Sequence, residues 1–168
     1  MKKILNLSIF MLLILFVSCT KNNDAVKVEM EKALPAIEVT GLGLPQQVGP
    51  FAQTDAILVY ATGALTNAES GAFDVAWYDA PTSGTPKLVD STHFNSWTVA
   101  ASTATANNAI TTAFIQSTYP NTMVYTSSLV LKLAKLPAGS KSYSLRVYAR
   151  TKDNQMATVS LTKIITVN

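Results

Sequence analysis

From Leu129 to Arg150 the chain reads LVLKLAKLPAGSKSYSLRVYAR, and no other stretch is as regular. Leu129, Leu131 and Leu133 alternate with Val130, Lys132 and Ala134, so a period of two sends the leucines to one face of a strand. Leu136-Pro137-Ala138-Gly139 interrupts the ladder. Tyr143, Leu145, Val147 and Ala149 then form a second inward row, with Ser144, Arg146, Tyr148 and Arg150 toward water. Two strands joined over a corner, each buried on one side, commit this part of the chain to an antiparallel β architecture. The plainer alternative is a simple hairpin in which Tyr143 has no special part.

The same residues carry a resemblance. Leu136-Pro137-Ala138-Gly139-Ser140 followed by Tyr143-x-Leu145-x-Val147-x-Ala149 resembles the E-to-F corner of fibronectin type III and other immunoglobulin-like domains. In that family a tyrosine opening strand F buries its ring and bonds through its hydroxyl to upstream backbone. The likeness implies that Tyr143 is the corner tyrosine of an all-β, antiparallel immunoglobulin-like sandwich of about seven strands. Here one or two extra residues separate the glycine from the tyrosine.

The N-terminus sets location. Met1-Lys2-Lys3 precedes an apolar run from Ile9 to Val17, too short to span a bilayer comfortably as a permanent helix. Phe16-Val17-Ser18-Cys19 resembles the lipobox of bacterial lipoproteins, with phenylalanine where leucine is usual. The resemblance implies a signal peptide over residues 1–18, acylation of Cys19 and a lipid bilayer as partner. Several acyl chains on one residue give stable anchoring, whereas one is marginal. Cys19 is also the sole cysteine, and lipidation removes a thiol that would otherwise stand unpaired in an oxidising compartment. An ordinary secretory signal with a cysteine near its cut is the competing interpretation. Thr20 stands where the enteric sorting rule places an inner-membrane aspartate, which implies the outer membrane.

Without residues 1–18, which hold Lys2 and Lys3, 11 basic and 10 acidic side chains remain of the chain's 13 and 10. That near-balance removes the main argument for binding nucleic acid. With no disulfide available, stability must come from burial, at roughly 25 cal/mol per Å² of apolar area. Residues 19–33 read as the lipidated cysteine and a polar tether, with room for one helical turn, and 34–168 as the sandwich.

Expected strands are Leu34–Thr40, Ala56–Thr62 ending at Gly63, Ala72–Asp79 and a short Lys87–Asp90. Phe73, Val75 and Trp77 share the inward face of the third, like the core tryptophan of an immunoglobulin strand C. Gly41-Leu42-Gly43 reads as turn chemistry, since it lacks the third glycine of a dinucleotide loop. Residues 91–128 should hold one or two strands anchored by Trp97 and Phe114. In the last segment Val159, Leu161, Ile165 and Val167 share a face, and Lys163 in that row predicts a bulge near Thr162 or Lys163.

Chemistry is sparse. One histidine and one cysteine, the latter acylated, exclude Cys/His metal sites, and no D-x-D-x-D run suits calcium. No metal or other cofactor is expected. Asp90-x-x-His93 offers an orienting pair without a nucleophile elbow, so His93 is expected as an exposed loop residue and the chain as no enzyme. If the third strand pairs with the Tyr143 strand, Asp74, Tyr78, Arg146, Tyr148 and Arg150 gather on one outward face, a candidate protein-binding surface. A merely solvated face of cross-strand ion pairs is the bland alternative. A second candidate is a glycan platform of Phe94, Trp97 and Tyr119. The expected function is thus a lipid-anchored, non-catalytic immunoglobulin-like module for protein binding, adhesion or envelope assembly, with glycan binding as the alternative.

Overall fold

Alternation is what the computed structural model bears out first: Tyr143, Leu145, Val147 and Ala149 are buried, while the residues between them reach the surface. The structure describes residues 28–29, 35–45, 48–96, 108–161 and 163–168, and the backbone course of 101–103. The signal peptide, Cys19, Thr20 and nearly all of the tether lie outside the described residues, as does Trp97. Val28 and Glu29 have helical backbone.

Among the described residues ten strands form two sheets: β1 (Ala36–Gly43), β2 (Ala56–Thr66), β3 (Ser70–Asp79), β4 (Leu88–Phe94), β5 (Ala101–Thr103), β6 (Asn108–Gln116), β7 (Thr122–Lys132), β8 (Lys141–Thr151), β9 (Met156–Ser160) and β10 (Ile165–Val167). Sheet one runs β1-β2-β7-β6-β5, and sheet two runs β10-β8-β3-β4 with β9 also on β8. All of these pairings are antiparallel. The orders match strands A-B-E-D and G-F-C-C′ of an immunoglobulin-like sandwich, with β5 added beyond D. The fold is therefore an all-β immunoglobulin-like sandwich. Among the described residues it has ten strands rather than about seven: the last segment is split into β9 and β10, and the middle region holds β5 and β6, the one or two strands expected there.

The core is the sum of the inward rows: Ile57, Val59 and Ala61 from β2, Phe73, Val75 and Trp77 from β3, Leu129 and Leu131 from β7, and the β8 row. Two buried polar groups join the layers. Asn108 on β6 donates through Nδ2 to Thr92 Oγ1 on β4 at 2.7 Å and accepts from the Lys132 amide at 2.8 Å.

Several strands outrun their expected ends. β1 passes through Gly41-Leu42-Gly43, pairing with Thr62, Ala61 and Tyr60 after a register shift between Val39 and Gly41. β2 passes through Gly63, where a side chain would overlap the Tyr125 hydroxyl and the Glu38 carbonyl. β4 reaches Phe94, and β7 begins as early as Thr122. Both β9 and β10 lie on the same edge of β8, β9 opposite Arg146–Arg150 and β10 opposite Lys141–Tyr143. The break between them falls at the expected place, with Lys163 exposed and Leu161, Ile165 and Val167 buried.

The outer edge of β10 is closed by a strand switch. Val48 accepts from the Thr166 amide at 3.0 Å, Phe51 donates its amide to the Thr166 carbonyl at 2.8 Å, and the Asn168 amide donates to Phe51 at 2.9 Å. Phe51 thereby makes a parallel bridge with Val167. Gly49 permits the crossing: its φ of 112° suits glycine, and a Cβ there would come within 2.6 Å of the Thr166 carbonyl oxygen.

The corner is as the resemblance implies. Tyr143 is 1% exposed and donates its hydroxyl to the Pro137 carbonyl at 2.5 Å. Burial first, and the charge of Asp79 second, raise its pKa.

Candidate functional site

Register places the candidate face. β3 lies between β4 and β8, so Asp74 stands opposite both His93 and Tyr148, and Ala76 opposite Arg146. The outward side chains of three strands therefore meet over the middle of sheet two.

Asp74 is the electrostatic hub. Its Oδ2 accepts from Arg150 Nε at 3.0 Å, and its Oδ1 is paired with His93 Nδ1. A carboxylate with both oxygens engaged, one of them by a guanidinium, has little left to offer a ligand. Arg150 also reaches Asn154 Oδ1 at 3.5 Å.

Beside the hub, the hydroxyls of Tyr78 and Tyr148 are 3.0 Å apart. The Arg146 guanidinium carbon sits 5.1 Å from the Tyr78 ring centroid, within cation–π range, while its Nε donates to Ser160 Oγ at 3.0 Å. The Tyr148 hydrogen bond, then burial, raise the Tyr78 pKa despite the opposing charge of Arg146. Among the described residues no carboxylate is paired with Arg146. Its position is fixed by a ring and a serine while its charge remains uncompensated.

Apolar residues frame this cluster: Leu88 is 57% exposed on β4 and Met156 49% on β9. Together with Tyr78, Tyr148, His93 and Arg150 they line an open cleft of about 350 Å³. All five residues expected on the face, Asp74, Tyr78, Arg146, Tyr148 and Arg150, lie on this side of sheet two, and all but Arg146 line the cleft.

His93 needs correction. It lies on strand β4 rather than in a loop, and its carboxylate partner is Asp74 rather than Asp90, which instead faces Lys135 Nζ at 3.4 Å. Sequence reading missed the pair because its members are 19 positions apart and meet only through strand register. Among the described residues no hydroxyl is bonded to His93, and no group of three or more His, Cys, Asp or Glu side chains is placed to hold a metal.

The glycan platform also needs correction. Phe94 is 2% exposed and belongs to the core, because β4 continues far enough to turn Thr92 and Phe94 inward and His93 outward. Tyr119 is 59% exposed on the β6–β7 turn. A second open cleft, about 610 Å³, has Leu65, Phe114 and Met123 in its lining, along with Glu69 and Lys152, whose mutual ion pair is 2.9 Å long.

No family model matches the chain, and no curated protein matches it either. Among solved structures it is similar to a DUF4466 family protein from Parabacteroides merdae at 14% identity, over 79% of this chain and 46% of that one, with a TM-score of 0.44. It is similar to the sporulation control protein Spo0M from Bacillus subtilis at 10% identity, over 80% and 50%, with a TM-score of 0.36. Murine CRIg aligns at 11% identity over 81% and 98%, with a TM-score of 0.26. The chain spans about half the length of the first two. Among the described residues no helix is long and apolar enough to cross a membrane.

Proposed function

We propose that this chain is a lipid-anchored, non-catalytic binding module that docks a protein partner on the outward face of β4, β3, β8 and β9. One observation carries the reading. Arg146 is held over Tyr78, with no carboxylate paired to it among the described residues, and the adjoining cleft is lined by Tyr78 and Tyr148 together with exposed Leu88 and Met156. Arginine and tyrosine provide large, fairly rigid contact area with planar donors, and the flanking apolar side chains suit a polypeptide.

Anchoring follows from Phe16-Val17-Ser18-Cys19 and the outer membrane from Thr20, so the partner belongs to the cell envelope. Non-catalytic action is read from His93, which is bonded to a carboxylate that Arg150 neutralises and to which no hydroxyl is bonded among the described residues.

Two measurements test this. A clickable fatty acid fed to cells should label the wild-type chain and not Cys19→Ser; equal labelling removes the anchor. Affinity purification of the full chain from detergent-solubilised membranes should retain an envelope protein that Arg146→Glu with Tyr148→Ala releases. An unchanged set of co-purified proteins removes the face.

A further inference from the structure

The other outward face, on sheet one, has a different character. Register aligns Leu58, Val130 and Ala109 in one row across β2, β7 and β6, and Ala64, Val124 and Ile115 in another. Between these rows lie Tyr60, Ser128 and Thr111, then Thr62, Thr126 and Ala113. None of these outward positions on β2, β7 and β6 is charged; among the described residues Glu38 on edge strand β1 continues the Ala64 row, and Lys132 lies two positions beyond Val130 at the end of β7.

Ile115 is 71% exposed, Val124 45% and Val130 40%. Solvated sheet faces alternate apolar-in with polar-out, so water-facing valine and isoleucine in two aligned rows break the pattern that β8 keeps. The inward rows of these same strands already fill the core, so the outward apolar rows are not needed to build it.

We infer that this face binds a second copy of the chain, sheet one against sheet one. Charge selects the occupant. Across β2, β7 and β6 two uncharged surfaces meet without repulsion and without burying an unpaired ion, with Glu38 left at the rim, whereas sheet two carries Arg146 with no carboxylate paired to it among the described residues, and a symmetric contact there would bring the two copies of that charge together.

The pattern is also self-complementary. The apolar rows lie six residues apart along β2, roughly 20 Å at about 3.3 Å per residue. An in-plane two-fold axis lays each row on its own copy or on the other row, and both arrangements pair apolar with apolar. Area is adequate: β1, β2, β7 and β6, of 8, 11, 11 and 9 residues, at about 3.3 Å per residue and about 4.8 Å apart, give a face of about 600 Å², the lower end of the roughly 600–1,000 Å² per partner of a standard interface, with Glu38 at its rim. This inference stands apart from the proposed protein-binding face on sheet two.

Sedimentation equilibrium of the full chain in density-matched detergent, at about 1 to 100 µM, tests it. The wild type should show twice the chain mass. Val124→Lys and Val130→Lys should each weaken association by at least about tenfold, because each places like charges across the two-fold axis. Thr158→Lys, which adds the same charge to sheet two, should leave the dimer intact. Unchanged far-ultraviolet dichroism certifies the fold of each variant, and Thr126→Lys substitutes for any that fails. A monomer throughout that range, or a dimer indifferent to lysine on sheet one, overturns the inference.

Discussion

The hydroxyl of Tyr125 donates to the backbone carbonyl of Glu38 at 2.8 Å, reaching from β7 to β1 across the strand that lies between them. It can do so only because the intervening residue is Gly63, which pairs with Tyr125 in the ladder and leaves no side chain in the path of the ring. The bond lands beside the register shift at Val39/Gly41, where the β1–β2 ladder is interrupted. A buried tyrosine thus holds an edge strand at its weakest point.

Two substitutions separate the parts of this device. Tyr125→Phe removes one hydrogen bond and leaves a carbonyl short of its partner, at a cost of about 1–2 kcal/mol. Gly63→Ala forces both the ring and the Glu38 backbone to move and costs more, about 2–4 kcal/mol. Denaturant midpoints at constant slope measure both. A Gly63→Ala protein as stable as wild type would mean that the ring does not cross there.

Alkaline pH should expose the two buried tyrosines. Burial, with Glu38 second, raises the Tyr125 pKa, and burial, with Asp79 second, raises that of Tyr143. A raised folded pKa means that the unfolded chain gives up the proton first. Stability from each ring is complete below the unfolded value of about 10 and is lost as pH climbs from there toward the folded value, at up to ~1.4 kcal/mol per pH unit. Urea titrations above pH 10 should show this decline flattened in Tyr125→Phe and Tyr143→Phe; equal slopes in wild type and variants would contradict it.

How much of this was legible in the chain depends on the range of each interaction. The Tyr143 corner was readable because Pro137 and Tyr143 are six positions apart and the alternation that follows is unbroken. The pairing of β3 with β8 followed from that, and with it the gathering of Asp74, Tyr78, Arg146, Tyr148 and Arg150. Gly41 and Gly63 misled because glycine signals turns locally, whereas Gly63 is there to let a residue 62 positions away pass over it. Phe94 misled for a related reason: with the end of β4 set too early, its place in the alternation could not be read. The Val48–Phe51 switch had no local signature beyond Gly49-Pro50, since a parallel bridge to the C-terminus is set by tertiary contact alone.

The Asp74 hub should behave as a partly screened ion pair. Its side chain is 24% exposed, against 32% for Arg150 and 58% for His93. Asp74→Asn leaves Arg150 without its carboxylate and should cost about 1 kcal/mol at low ionic strength, shrinking as salt rises to ~0.5 M. Arg146→Ala, which breaks only a surface cation–π contact and one serine bond, should stay within about 0.5 kcal/mol of wild type. Paired thermal melts at two salt concentrations distinguish these outcomes, and an Asp74→Asn penalty indifferent to salt would show that packing rather than charge holds the hub.

Asn108 is where the two sheets depend on a polar group, and truncating it should be the most damaging of the polar changes. At 2% exposure it satisfies Thr92 on β4 through its nitrogen and the Lys132 amide on β7 through its oxygen. Asn108→Leu strands a buried amide and a buried hydroxyl together, and should cost about 2–4 kcal/mol. Thr92→Val should cost less, about 1–2 kcal/mol, since only the amide nitrogen then lacks a partner. The double variant should fall short of the sum by about 1 kcal/mol, the signature of a direct contact between layers. Strict additivity in urea unfolding would place Asn108 as a partner of Lys132 alone and leave the β4–β6 contact to apolar packing.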